Sequence, residues 1–211
     1  MMDEYYIPTV FFTLFFVVDP LGLIPVFIVY LSGRPAKKRR VIIIRAITIS
    51  IAVSLFFILF GNILLEFLGI STGSFLVAGG ILLFVIAMEM LLGRPSLVKT
   101  SGIEDGSGLD ADKDVSVFPL AIPMLCGPGN IAALVMFGTQ AAGDPIRIGI
   151  IAGLSTAVFF IAMLVMFFSS RLSDILGATG IAIVHKLMGL ILSAMAVQFM
   201  RNGLASLGII S

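Results

Sequence analysis

The chain has 211 residues, of which 59% are hydrophobic and only 12% charged, with a net charge of +1. A soluble domain carries about 25% charge, and one core of this size could not hide so much apolar surface. No basic stripe invites nucleic acid, and the single cysteine, Cys126, excludes an internal disulfide. The composition is that of a polytopic membrane protein.

The first residues, Met1 to Glu4, lack the positive charge of a secretory signal, so the first apolar run reads as a retained helix. A helix needs about 20 apolar residues to cross roughly 30 Å of hydrocarbon. Six runs meet that need, near Pro8–Leu31, Val41–Phe60, Phe75–Leu92, Val115–Thr139, Ile146–Phe168 and Ile181–Met200. They are too long and too evenly apolar for barrel strands, which alternate over about 10 residues.

The first run interrupts itself with VVDPLGLIPVF, residues 17–27, placing Asp19, Pro20, Gly22 and Pro25 at mid-span. Proline removes a backbone donor and glycine loosens the helix. A carboxylate at that depth costs about 2.5–3.5 kcal/mol on insertion scales, so Asp19 reads as a protonated acid, a cap for the second half-helix or a ligand group, and cap and ligand can be one residue. Thr13, one and a half turns earlier, is a candidate cavity-lining hydroxyl. Arg34, Lys37, Lys38, Arg39 and Arg40 follow, and their density assigns this loop to the cytoplasm and both termini to the outside. The connection Glu66–Ser74 has no Lys or Arg, and Arg171 falls inside, both in agreement; Arg147 and Arg201 fall outside against the rule.

In the third run Glu89 is an intramembrane acid, a candidate carrier of a coupling proton. The loop 94–114 reads as a cytoplasmic linker. Its DADKD stretch does not make a calcium loop, because Val115 and Ala121 stand where glycine and glutamate are needed. The fourth run carries Pro123, Gly127, Pro128, Gly129 and Asn130, a second interruption with one polar side chain. In the fifth, GIIAG at 149–153 is a small-xxx-small pattern expected to pack helices closely. In the sixth, His185 beside Lys186 reads as interfacial, and Gln198 as an interhelical or cavity-lining amide.

The chain also matches itself. Pro20 and Pro128 lie 108 positions apart, and at the same offset LLEFLGIS (64–71) lies over LSDILGAT (172–179). At 109 positions Gly80 corresponds to Gly189, Ala87 to Ala196 and Glu89 to Gln198. The expectation is a first three-helix repeat in 1–93, a linker in 94–114 and a second repeat in 115–211. Three spans per repeat force the second half to enter from the opposite side, the inverted-repeat logic of secondary transporters. The fold expected is therefore an all-α membrane protein of six transmembrane helices, a 3+3 inverted repeat with discontinuous first and fourth helices. Breaks at mid-depth expose peptide groups, which is tolerated only where they are buried in protein or line a cavity.

DPLGLIPVF and PLAIPMLCGPGNIA (119–132) resemble the MarC family of integral membrane proteins, over essentially the whole chain. That resemblance implies a small neutral amino acid transporter, taking glycine or alanine, with Asp19, Pro20, Gly22 and Pro25 of the first signature and Pro123, Gly127, Pro128, Gly129 and Asn130 of the second around a central site. Half-helix N-termini favour a carboxylate, while carbonyl ends or an ionised Asp19 favour an ammonium. Close backbone approach at glycines leaves room for a small side chain. Protons, carried by Asp19 or Glu89, are the candidate coupling ion. The location expected is the cell membrane, multi-pass. An exporter of amino acids, a channel or a structural subunit are the alternatives. HExxH and GxSxG are absent and one histidine with one cysteine assembles little, so no enzyme, metal or cofactor is expected.

Overall fold

The computed structural model describes residues 6–31, 33–93 and 115–210, with the side chains of Pro119 and Pro123 excepted. The linker 94–114, with its DADKD stretch, lies outside the described residues. Among the described residues every regular element is a helix: α1 (Tyr6–Val18), α2 (Ile24–Leu31), α3 (Ala36–Phe67), α4 (Thr72–Leu92), α5 (Ser116–Leu125), α6 (Pro128–Gln140) and α7 (Pro145–Ser206). The described residues form the all-α architecture expected from composition. Among them three helices, α3, α4 and α7, are long and apolar enough to cross a membrane.

Local chemistry sets the ends. Ser71 caps α4 by accepting a hydrogen bond from the Ser74 amide at 3.1 Å. Asp144 caps α7, accepting from the Ile146 amide at 3.0 Å and the Arg147 amide at 3.2 Å, with Pro145 in the first helical position. α3 closes through Gly69 (φ +66) and α4 through Gly93 (φ +65), the left-handed geometry glycine accepts without a Cβ penalty.

The fifth and sixth apolar runs are both carried by α7. Its 62 residues would make a straight rod of about 93 Å, three times the hydrocarbon thickness. The chain leaves helical geometry at Gly177 (φ 62, ψ 172), dividing α7 into an arm of residues 145–176 and an arm of 178–206. The first arm is as long as α3, and Gly177 stands at the position corresponding to Gly69, also at positive φ.

The fourth run is more distorted than its Gly-Pro-Gly signature suggested. Phe118 (φ −126, ψ 126) and Ile122 (φ −129, ψ 125) are extended, and each precedes a proline, which disfavours helical geometry in the residue before it. α5 is consequently a wide coil whose amides reach back five residues, Leu120 to the Val115 carbonyl at 3.3 Å and Cys126 to Ala121 at 2.8 Å.

Glycines bring the helices together. A Cβ at Gly138 of α6 would meet the Ile58 carbonyl of α3 at 2.7 Å, and one at Gly61 would meet Val135 at 2.8 Å. α6 is buried on nearly every side from Gly129 to Gly138 and forms the centre of the bundle. α4 and the second arm of α7 run antiparallel in close contact: Gly73 against Gly203, Gly80 against Ala196, Gly189 against Ala87. The GIIAG pattern takes no part, which corrects the expectation of close packing there. Nothing lies within 4 Å of a Cβ at Gly149 or Gly153, because both face outward from the described chain.

Candidate functional site

The site is built on the two interruptions. At the first, Pro20 supplies no N–H, so the Phe16 carbonyl loses its helical partner and α1 stops at Val18. Asp19 adopts φ +52, the only described non-glycine residue at positive φ. Short polar side chains tolerate that region because they bond locally. Here Asp19 Oδ1 accepts from the Gly22 amide at 3.1 Å, while the Asp19 carbonyl accepts from Leu23 at 3.2 Å. Pro25 cannot donate to the Leu21 carbonyl, and the Ile24 amide takes it instead at 3.2 Å. Asp19 is fully buried.

Its second oxygen faces α7. Asp19 Oδ2 lies 3.0 Å from His185 Nδ1, in a close polar contact off the line of an aligned hydrogen bond. Gly22 sits beside the pair, and a Cβ there would collide with both Asp19 Oδ2 and His185 Nδ1. His185, read from the sequence as interfacial, is placed beside the buried carboxylate of Asp19. The signal available was that it is an ionisable group within an apolar run, which in a membrane favours a functional reading.

At the second interruption Gly127 is extended (φ −77, ψ 172) and Pro128 opens α6. Asn130 is 2% exposed. Its Nδ2 donates to Cys126 Sγ at 3.7 Å, and Ser54 Oγ lies 3.7 Å from the same sulfur. Asn130 Oδ1 finds no hydrogen-bond partner among the described residues. The two interruptions adjoin. A Cβ at Gly129 would lie 2.9 Å from Ile86, 3.2 Å from Leu83 and 3.3 Å from Val17, two residues before Asp19. α4 thus closes the third side, and Glu89, one turn beyond Ile86, is 9% exposed.

A cavity flanks each interruption. One of about 460 Å³ is bounded by Gly22, Pro25, Met90, Ala178, His185 and Lys186. The other, about 400 Å³, is bounded by Phe75, Gly79, Leu82, Cys126 and Pro128, with Ile131 at its wall. Both volumes suit small-molecule binding.

Some candidate residues stand elsewhere. Gln198 faces outward and donates to Asn202 of its own helix at 2.8 Å, so it neither joins helices nor lines either cavity. Thr13 is buried but donates to the Thr9 carbonyl at 2.6 Å, with Met195 Sδ 3.9 Å away. The side chain of Pro123 is outside the described residues.

Chemically, the start of α6 offers amides, and the end of α1 offers carbonyls and a carboxylate, within one small buried region. Such a pairing suits a molecule with an anionic and a cationic end.

Residues 5–207 match the model of the MarC family of integral membrane proteins. A UPF0056 membrane protein of Methanocaldococcus jannaschii is 34% identical over 96% of this chain and 98% of its own. The UPF0056 membrane protein YvbG of Bacillus subtilis is 32% identical, with 94% of each chain covered. The UPF0056 inner membrane protein YhgN of Escherichia coli K12 is 35% identical over 90% of this chain and 92% of its own. No solved structure matches the chain. With nearly its full length matched by the family model and by relatives above 30% identity, the chain belongs to the MarC family of integral membrane proteins.

Proposed function

We propose that this protein is a secondary carrier of small neutral amino acids, glycine or alanine, rather than an enzyme. The solute binds between the two interruptions, its ammonium toward Asp19 and its carboxylate toward the amides at the start of α6, and the two halves of the chain rock to open the site alternately. The observation that carries this reading is the meeting of the two interruptions, Gly129 against Val17, with a cavity on either flank. Glycines at the approach favour a small solute. Asn130 Oδ1, buried and without a partner among the described residues, is an acceptor that the solute's ammonium can satisfy from the α6 side while its carboxylate takes the amides.

The mechanism needs six spans in two inverted repeats. Reciprocal packing supports this. Gly80 rests on the Ala196 carbonyl and the Met200 amide, and Gly189 rests on the Ala87 carbonyl and the Leu91 amide. Each partner in one set lies 109 positions from its counterpart in the other, as a two-fold axis between α4 and the second arm of α7 requires. The basic stretch from Arg34 to Arg40 favours a cytoplasmic first loop with both termini outside, in the cell membrane. Asp19 and Glu89 are the acids available for proton coupling.

The test is glycine and alanine uptake by purified protein in proteoliposomes, with and without a pH gradient. Saturable uptake that unlabelled alanine inhibits supports a carrier; a linear, non-competable flux supports a channel. Uptake enhanced by an inward proton gradient supports coupling. Failure to move any small amino acid, in protein that folds, overturns the solute assignment.

A further inference from the structure

We propose that His185 is a built-in stand-in for the ligand's ammonium group, holding the receiving oxygen of Asp19 until a primary ammonium ion displaces it. This rests on the carrier reading above and specifies how its cationic end is recognised.

The two oxygens of Asp19 have different duties. Oδ1 is committed to the Gly22 amide at 3.1 Å, a bond that holds the bend between α1 and α2. Oδ2 is held by the His185 imidazole at 3.0 Å, without the alignment of a hydrogen bond. An ammonium with three freely oriented donors can make the aligned bond that the ring does not.

The order of the groups is that of a plug. Asp19 is fully buried and does not line the cavity of about 460 Å³; His185 does, with a side chain 27% exposed. A molecule arriving through this cavity meets the imidazole before the carboxylate. Lys186, the charged residue at the wall, is a cation and offers an ammonium no partner. The pair can meet because residue 22 is glycine: any Cβ there would collide with both Asp19 Oδ2 and His185 Nδ1. With the ring displaced, the place it vacates beside Gly22 fits a small amine head.

The ring can withdraw. His185 rides on the second arm of α7, eight positions after Gly177, where the chain already departs from helical geometry. Moving that arm separates Nδ1 from Oδ2 without unwinding α1 or α2. Ligand binding and release of α7 are thereby one event, since both claim the same oxygen.

The chain has one histidine, so its ring signals belong to His185 alone. Histidine-labelled protein in nanodiscs is titrated with methylammonium, with glycine and with acetate, while ligand-dependent thermal stability is followed in parallel. Methylammonium and glycine should each shift the ring resonances with the midpoint seen by thermal stability, and acetate should not. Asp19→Asn should abolish the methylammonium response. His185→Ala should bind methylammonium about tenfold more tightly, a 1.4 kcal/mol gain from removing the competitor; a purely structural role for the ring predicts no gain.

Ring signals that ignore methylammonium, or a response that survives Asp19→Asn, overturn the proposal. If glycine stabilises the protein and is transported while the ring stays unmoved, the displacement idea falls and the carrier stands. If methylammonium moves the ring but no amino acid is bound or transported, the displacement stands and the carrier reading falls. The wild-type titration decides these cases even if His185→Ala does not fold.

Discussion

Gly80 on α4 and Gly189 on α7 are seated on each other's helices through matching backbone atoms, a carbonyl and the amide four residues on. A Cβ at Gly80 would meet the Ala196 carbonyl at 2.9 Å and the Met200 amide at 3.0 Å; one at Gly189 would meet the Ala87 carbonyl at 3.0 Å and the Leu91 amide at 3.3 Å. Backbone atoms cannot swing aside as a side-chain end can. Gly80→Ala and Gly189→Ala should therefore each lower stability by about 1–3 kcal/mol, the usual range for overpacking. Gly149→Ala and Gly153→Ala, with open space at the Cβ, should be neutral or stabilising by up to about 1 kcal/mol from helix propensity. Denaturation in one detergent system compares all four. Equal losses at both pairs would remove the distinction drawn between them.

Asp19 combines a cap, a left-handed backbone and a charge, and two substitutions separate them. Asn keeps the capping oxygen and tolerates φ +52, so Asp19→Asn should fold with little change and lose uptake. Ala loses the cap, worth about 0.5–2 kcal/mol, and adds roughly 1–2 kcal/mol of left-handed strain. Asp19→Ala should therefore fall well below Asp19→Asn in thermal stability. Glycine uptake by Asp19→Asn at the wild-type rate would show that the carboxylate is not a ligand.

What the sequence made legible here was local. The bend at Asp19–Gly22 follows from proline and glycine chemistry, and the extended geometry of Phe118 and Ile122 follows from the proline after each. The offset linking Gly80 to Gly189 was readable because a repeat leaves its mark in residue types. Partners between helices were not. His185 meets Asp19 only because the bundle brings α7 to the first bend, and nothing within either segment encodes the other. Gln198 shares a repeat position with Glu89, yet one faces outward and the other is buried, since correspondence in sequence does not fix what lies over a helix face. GIIAG has the spacing for close packing but no described helix opposite it.

Asn130 has a stability cost built into it. Its buried Oδ1 without a partner costs about 1–3 kcal/mol relative to a satisfied or apolar group. Asn130→Leu, with the same branched outline and number of side-chain heavy atoms, should hold or raise thermal stability while reducing glycine uptake, the trade expected of a binding residue. Asn130→Ala should lose packing as well, and stability with it. Uptake with unchanged KM in a stable Asn130→Leu would assign the amide to packing alone.

The basic residues after α2 differ in surroundings, a difference that composition alone does not show. Lys37, Lys38 and Arg40 are exposed. Arg39 instead turns inward, its Nη2 donating to the Met166 carbonyl at 3.1 Å and the Phe167 carbonyl at 2.9 Å on the first arm of α7. Hydrogen bonds from a charged donor contribute about 1.5–3 kcal/mol each at most, and a lysine ammonium lacks the planar fork that sits across neighbouring carbonyls. Arg39→Ala should lower thermal stability, and Arg39→Lys should recover only part of it, while neutral substitutions at Lys37, Lys38 and Arg40 leave unfolding unchanged. Those three should be felt in orientation instead. Reporter fusions to the first loop should place it in the cytoplasm in the wild type and in a mixed arrangement once all three are neutral, because the charge bias that retains the loop is then weakened. A loop found outside in the wild type would reverse the proposed orientation of the chain.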